Sequence, residues 1–461
     1  MSARIRAARP LPAAPRLLPL AGPLFAEMLL GLGMGLVGTL LAARLGDAQG
    51  AAFALCSQVM AMLFVFFRIV GAGVSVVVSQ ALGGQRPDAA ERTALATLGA
   101  SSWIGGLCVA VAALAAEPLL GLLNTPPELL PLAVPLLRWL APTVLLDAWH
   151  TILASVLRSH LQSRPTMVVN VTVQMAHLLL ALPLMNGAFG WPGLGLPGFA
   201  LALLLARGIG LVLFLQAWRQ RLGLVPLARD WWAWRRAVLA PVLQVGLPGA
   251  AENICWRSAY VFSLSVVGTL GTQALATHAY TMQIIHLIMV FAATLGLSGE
   301  IMVGHLVGAG QLHRAHHLVR RLLRRGLLMA AGVSTLAALA GPWLIGAFTR
   351  DPQIIATGAL LLWLTIALET GRTYNIVLVN ALRAAGDAQF PLVAGAASFL
   401  LVMAGGSWLL GVWLGWGLVG VWVAYAADEW LRGLVMWWRW AGLGWVPAAR
   451  RMHRRLQRQR G

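Results

Sequence analysis

Lysine is absent from this sequence, and acidic residues are few. Of 461 residues only 11% are charged; 15 are Asp or Glu, and every one of the 34 basic residues is arginine. Hydrophobic residues make up 59% of the chain, and the mean hydropathy is +0.77. A soluble fold has to present polar groups to water, so this composition excludes an ordinary soluble domain. A bilayer removes that constraint.

The chain also lacks the patterns of common catalytic and metal sites. Its three cysteines are odd in number and lie inside apolar runs, which argues against a disulfide framework. No HExxH, GxSxG or P-loop pattern occurs. The histidines at 313–317 have no acids or cysteines at metal-ligand spacing. We therefore expect neither an enzyme nor a metal site, and no cofactor.

The net charge of +19 would suit a nucleic-acid-binding protein if the arginines formed one basic domain. They lie instead in short stretches between apolar runs, which favours membrane topology over nucleic acid. The apolar runs are continuous and do not alternate, so helices are favoured over a barrel. Because about 20 apolar residues span a bilayer, this length has room for roughly a dozen helices. Membrane lipid is thus an expected partner.

The sequence predicts an all-α polytopic membrane protein with twelve transmembrane helices. The predicted spans are 20–43, 52–80, 94–116, 131–157, 166–186, 195–217, 242–267, 274–307, 327–347, 354–382, 391–413 and 417–438. Arginines concentrate in alternate loops, which indicates cytoplasmic N- and C-termini in a bacterial inner membrane. No small-residue cleavage site follows the N-terminal arginines, so the first span is expected to be retained.

The two halves of the chain repeat each other at a constant offset of 225 residues. The matching pairs are Pro23 with Pro248, Glu27 with Glu252, Gln58 with Gln283, Gly71 with Gly296, Gly83 with Gly308, and Leu157-Arg158 with Leu382-Arg383. Six spans per half is an even number, so an axis along the membrane normal relates the halves. The sequence thus predicts two six-helix pseudo-symmetric lobes that rock to alternate access, which favours transport over catalysis.

The expected organisation has five parts. A cytoplasmic tail, 1–19, precedes the first lobe, 20–217, and an interfacial linker, 218–241, leads to the second lobe, 242–440. A basic cytoplasmic tail, 441–461, follows.

Polar residues within the spans are the candidates for function, because a charge there costs about 3 kcal/mol on insertion scales. The candidates for ion or substrate binding are Glu27, Glu252, Glu300, Glu369, Gln58 and Gln283. Glu27 and Glu252 occupy equivalent repeat positions, as do the two glutamines. Glu300 and Glu369 instead occur in one half only, where their counterparts are Ser75 and Val144. An acid present in one half suggests a specialised role.

A structural interpretation of the same acids stays open. Buried arginines could satisfy Glu27 and Glu252, with Arg257 a local candidate, and Arg372 lies three residues after Glu369, at ion-pair spacing. The arginines considered as cavity cations or as ion-pair partners are Arg68, Arg257 and Arg372. Asp147 with His150, and Asp428-Glu429 with Arg432, are expected to form pairs inside their own lobes.

The motifs at the span ends are similar to those of the multidrug and toxic compound extrusion (MATE) family. They include the prolines opening spans 1 and 7, the run 78–83 and its counterpart 301–310, and the Leu-Arg pairs after spans 4 and 10. Their order, spacing and duplication carry the resemblance, from Pro23 to Arg432. It implies antiport, in which small amphipathic, cationic compounds leave while sodium ions or protons enter. It also implies a monomer.

The sequence departs from the family pattern at the acids that many members use. The span-1 aspartate is replaced by Gly38 and a span-5 aspartate by Ala181, and a span-7 glutamate aligns nearer Trp256, one turn beyond Glu252. A branch with Glu-x-Gly-Arg in span 10, as at 369–372, is more similar. Sodium and protons therefore both stay open as the coupling ion.

Two other functions stay open. A flippase for a lipid-linked sugar or another amphipathic lipid would need a cationic central cavity, which Arg68, Arg207, Arg257 and Arg372 could supply. A membrane scaffold or enzyme would instead lack a central cavity.

Overall fold

The computed structural model describes residues 17–187 and 192–458, without the side chains of Arg68 and of residues 455–458. The predicted N-terminal tail therefore lies almost wholly outside the described residues.

Within that part of the chain, the first half consists of seven α-helices joined by short loops. They are α1 (Leu17–Ala43), α2 (Asp47–Gly83), α3 (Pro87–Leu114), α4 (Ala116–Gly121), α5 (Leu130–Ser159), α6 (Ser163–Asn186) and α7 (Leu196–Ala217). A linker follows, with a π-helical turn at Trp218–Leu222 and a 3₁₀ turn at Ala228–Trp232. Long helices suit these apolar runs because a helix satisfies its backbone polar groups without water.

The second half has the same order of elements. It contains α8 (Arg236–Thr269), α9 (Thr272–Gly308), α10 (Leu312–Leu339), α11 (Gly341–Gly346), α12 (Pro352–Ala384), α13 (Gln389–Ser398), α14 (Gly405–Trp408), α15 (Gly417–Ala441) and α16 (Val446–Arg458). A π-helical segment, Phe399–Ala404, joins α13 to α14, and a second one, Leu409–Trp413, follows α14. Together, Gln389–Trp413 forms one apolar span. The start of α12 shows why one helix begins where it does: Asp351 accepts a hydrogen bond from the backbone N–H of Gln353 at 2.8 Å, and Pro352 is the first helical residue.

The all-α fold with twelve spans is confirmed. Eleven described helical segments are long and apolar enough to cross a membrane. The twelfth span is α15, which has 25 residues and carries Asp428, Glu429 and Arg432 in its interior. The largest difference from the predicted spans is α10, which begins at Leu312 and not near 327, because its arginine-rich first turns are helical. Arginine is a good helix former and therefore does not interrupt the helix.

The repeat is visible in the helices themselves. α3 and α10 each have 28 residues and begin at Pro87 and Leu312, and α4 and α11 have six residues each. The buried positions of α7 recur in α15 at a spacing of 222 residues, as in Phe214 and Met436. The slightly shorter spacing reflects a change of loop length before the last helix of each half.

By contacts, the chain divides into two compact units. The first is Met1–Val78 with Pro87–Gly246, and the second is Ser79–Arg86 with Leu247–Gly461. The core of the first unit consists mostly of Ala, Leu, Val and Phe side chains from α2, α5 and α7. The core of the second contains residues of α8, α9, α12 and α15, among them Trp422 and Tyr425. The lobe bounds expected from the sequence stay a prediction.

Glycines bring two helix ends together within the second unit. A Cβ atom at Gly308 of α9 would overlap the backbone carbonyl of Gln80, and one at Gly83 would overlap that of His305. The Gln80 side chain is buried and donates to the backbone carbonyl of Ala384 at 2.7 Å. These contacts explain why the last turns of α2 belong to the second unit, since only glycine lets the two backbones approach so closely.

Candidate functional site

Two ion pairs occupy equivalent positions in the two halves. Glu27 of α1 lies 3.0 Å from Arg158, measured from Oε1 to Nη1, within the first unit. Glu252 of α8 lies 2.6 Å from Arg383, measured from Oε2 to Nη2, within the second. All four side chains are at most 17% exposed. Each pair joins the first long helix of a half to the end of the helix that carries its Leu-Arg motif.

The partner of Glu252 is therefore not Arg257. Arg257 is exposed, and it follows Glu252 by five residues, which places it on a different side of α8. The sequence contained a signal for the true pairing, because both the glutamate and the arginine repeat at the same offset.

A buried network of five charged residues lies in the second unit, between α12 and α15. Glu369 and Arg372 form an ion pair on α12. Arg372 Nε also donates to Glu429 Oε1 at 3.1 Å, and Arg432 lies 2.8 Å from Glu429 and 2.7 Å from Asp428. Glu429 is the centre of this network, since both guanidinium groups bind it.

Two polar side chains complete the network. Asn375 donates to Glu429 Oε2 at 3.0 Å, and Ser398 donates to Asp428 Oδ1 at 2.6 Å. The guanidinium of Arg432 also stacks on the ring of Phe399, 4.3 Å from its centroid. Every charged group of the network is less than 13% exposed.

The charges of this network do not balance. Three carboxylates, Glu369, Asp428 and Glu429, face two guanidinium groups, so the fully ionised network carries one net negative charge. Glu369 Oε1 accepts from Arg372, while its buried Oε2 has no hydrogen-bond partner among the described residues. An uncompensated buried charge is strongly unfavourable, so the site suits one added proton or monovalent cation.

The equivalent place in the first unit is balanced. Asp147 of α5 lies 2.9 Å from Arg207 of α7, and His150 contacts the backbone carbonyl of Arg207 at 2.9 Å. By the helix spacings above, Asp147 corresponds to Arg372 and Arg207 to Glu429. The pair therefore recurs with its polarity reversed, and the extra acids occur only in the second unit.

The other predicted candidates lie apart from this network. Gln58 of α2 and Gln283 of α9 are both exposed, each twelve residues into its helix. Glu300 is buried in α9. The side chain of Arg68 lies outside the described residues.

A sequence model of the MatE family matches this chain twice, over residues 23–182 and 248–408. The two matches begin at Pro23 and Pro248, the residues that open the repeat found in the sequence, and together they cover more than half of the chain. This chain belongs to the MatE family.

Relatives of this MATE family transporter cover most of its length. The uncharacterized transporter YisQ of Bacillus subtilis (strain 168) is 31% identical over 427 residues, which are 93% of this chain and 94% of YisQ. The multidrug resistance protein PmpM of Pseudomonas aeruginosa is 24% identical over 383 residues, 82% of this chain and 80% of PmpM.

Solved structures of MATE transporters share the fold. The bent form of VcmN from Vibrio cholerae has a TM-score of 0.84 at 18% identity, covering 95% of this chain and 97% of VcmN. A MOP superfamily transporter from Pyrococcus furiosus has a TM-score of 0.81, also at 18% identity, covering 95% of both chains. The likeness confirms the expected two-lobed architecture.

Sequence reasoning recognised most members of the MATE chain's charge network but not its extent. It left an ion pair of Glu369 with Arg372 open, and it expected Asp428-Glu429 to pair with Arg432, with no link between the two. The structure joins them through the Arg372–Glu429 bond. Asn375 and Ser398 were missed, because a polar side chain in an apolar span does not reveal its partner on another helix.

Proposed function

We propose that this MATE family transporter exports small amphipathic organic cations by antiport with protons or sodium ions. The observation that carries the proposal is the odd carboxylate in the buried network of the second unit. A site with one excess negative charge binds one cation from the side where that cation is abundant. It releases the cation after the change of access.

The names of the relatives support export of drug-like compounds. PmpM is named a multidrug resistance protein, and the relative from Chromobacterium violaceum is named a probable multidrug resistance protein, NorM. The more similar YisQ is named only as a transporter.

We favour the proton as the coupling ion. In the network, Glu369 Oε2 and Asn375 Oδ1 are buried oxygens without a hydrogen-bond partner among the described residues. The other carboxylate oxygens of the network already bind arginine, asparagine or serine. A hard metal cation such as Na⁺ is held by several oxygen ligands, whereas a proton needs one. Glu369 is the carboxyl group that would take it.

The repeated pairs have a different role in this proposal. Because Glu27–Arg158 and Glu252–Arg383 are balanced and occur in both halves, we assign them to holding the first helix of each lobe. Alternating access then follows from rocking of the two lobes, in an inner membrane with both termini cytoplasmic.

The lipid flippase is less favoured. Of the four arginines considered for a cationic cavity, Arg207 and Arg372 are each paired with carboxylates. A phosphate-bearing headgroup would have to compete with those carboxylates.

Drug efflux from cells expressing the protein tests the residue assignment. Glu369→Gln should lose ethidium efflux, because it removes the carboxyl group that takes the ion. Glu128→Gln changes an exposed loop acid in the same way and should retain it. Efflux at the wild-type rate after Glu369→Gln, at equal amounts of protein in the membrane, would exclude this network as the ion site.

A further inference from the structure

The linker covers one face of α3 in the first unit. Ala96 and Ala100 pack in a small apolar cluster with Leu239, in the first turn of α8. On the same face, a Cβ atom at Gly99 would overlap the backbone carbonyl of Ala233. One turn further along α3, the indole N–H of Trp103 donates to the backbone carbonyl of Trp232 at 2.9 Å. This face of α3 therefore consists of small residues because the linker backbone lies directly on it.

The equivalent face of α10 in the second unit is exposed and basic. The positions 225 residues after Ala96, Gly99 and Ala100 are Arg321, Arg324 and Arg325, and all three side chains are exposed. Ala315, Leu318, Leu322 and Leu323, on the opposite face, are buried as their counterparts in α3 are. In the part of the chain that the structure describes, no carboxylate forms an ion pair with these three arginines.

As far as residue 458, the segment that corresponds to the linker does not cover this face. Residues 442–461 contain six arginines and no acidic residue, so they cannot neutralise α10. Their helix, α16, lies instead against the end of α9, where His453 Nδ1 contacts the backbone carbonyl of Gly308 at 3.0 Å. The face of α10 that corresponds to the covered face of α3 is therefore exposed.

The three arginines directly precede the apolar part of α10, which runs from Gly326 to Leu339. Long basic side chains at the end of an apolar helical stretch extend to the membrane interface. On the next turn Leu328 and Met329 are exposed apolar side chains. At the equivalent repeat position in the first half, Trp103 packs edge-to-face on Trp232, and tryptophans favour the membrane interface.

We propose that Arg321, Arg324 and Arg325 bind the phosphate group of an anionic phospholipid. The lipid headgroup lies on α10 where the linker lies on α3, and its acyl chains run along Leu328 and Met329. Guanidinium groups suit this task because their planar N–H donors match phosphate oxygens in pairs. Charge complementarity at this depth selects a lipid, because lipid phosphates form the layer that these side chains reach.

Native mass spectrometry of the detergent-purified protein tests this site. The probes are phosphatidylglycerol, phosphatidylcholine and inorganic phosphate. The variant carries Arg321→Gln, Arg324→Gln and Arg325→Gln together. The matched control carries Arg450→Gln, Arg451→Gln and Arg454→Gln, which remove the same charge from exposed residues of α16.

We expect the α10 variant to bind phosphatidylglycerol at least about tenfold more weakly than the wild type does. Each basic side chain near an anionic lipid surface contributes about a factor of five, the equivalent of ~1 kcal/mol. The α16 control and the wild type should prefer phosphatidylglycerol to phosphatidylcholine equally, and inorganic phosphate should not displace the lipid.

Three results would overturn the proposal. Equal losses in both variants would show an effect of net charge alone, and equal binding in all three proteins would show that the arginines only reach water. Displacement by inorganic phosphate would show a free-anion site. The variant Arg321→Lys, Arg324→Lys and Arg325→Lys distinguishes loss of the lipid site from misfolding. It keeps the charge and should retain part of the selectivity for phosphatidylglycerol.

Discussion

The unequal surroundings of Glu369 and Glu429 predict that the same substitution has different effects on stability. Glu429 accepts from Arg372 and Asn375 and pairs with Arg432, so three donors converge on its two oxygens. A glutamine there has one acceptor oxygen, and its amide N–H₂ faces donors in either orientation. Glu369 accepts only from Arg372 through Oε1, so a glutamine there keeps that bond.

The magnitude follows from those contacts. Glu429→Gln loses at least one charge-assisted hydrogen bond, worth about 1.5–3 kcal/mol, and leaves a buried donor unsatisfied, which adds about 1–3 kcal/mol. We therefore expect the free energy of unfolding to fall by about 3 kcal/mol or more. Glu369→Gln also removes one negative charge but loses no hydrogen bond, so we expect a change within about 1 kcal/mol.

Denaturant titration of the two variants in the same detergent measures this difference. Each variant is the control of the other, because both replace glutamate by glutamine and both bring the network to charge balance. If Glu369→Gln destabilises the protein as much as Glu429→Gln does, the odd carboxylate is held as tightly as the central one. The assignment of Glu369 as the ion-binding group would then be wrong.

Three further experiments test the fold. In a double-mutant cycle, Glu252→Gln and Arg383→Gln should show a coupling energy of about 1–3 kcal/mol in the free energy of unfolding, and purely additive effects would argue against the ion pair. Gly308→Val should prevent α9 from meeting the end of α2, which a lower midpoint of thermal unfolding would reveal; Gly332→Val, at a helix position with open space, is the control. Gly99→Val should detach the linker from α3 and speed its cleavage by added protease, whereas unchanged cleavage would contradict the described packing.

The sequence predicts the repeat and the spans well because both depend on local composition. A run of apolar residues long enough to cross a bilayer forms a helix whatever its neighbours are. The prediction was least accurate at the start of α10, where hydropathy ends at the arginines but helix formation does not. Hydropathy identifies the apolar stretch, whereas helix propensity decides where the helix begins.

The charge network could be predicted only in pieces. The spacing of Glu369 and Arg372, and of Asp428 and Arg432, identifies pairs on a single helix. The Arg372–Glu429 bond depends on how α12 packs against α15, and that packing is not encoded in the sequence spacing of the two residues. Equivalent helices in the first unit carry the reverse polarity, so comparison of the halves does not reveal this bond either.

Transport of ethidium into proteoliposomes, with a proton gradient and a sodium gradient imposed separately, tests the central claim most directly. We predict that the proton gradient drives ethidium movement in the wild type and in Glu128→Gln but not in Glu369→Gln. Movement under neither gradient would contradict antiport, and labelled lipid-linked sugars would be the next substrate. Gradient-driven movement at the wild-type rate in Glu369→Gln would contradict the assignment of the buried network as the site that couples the ion to export.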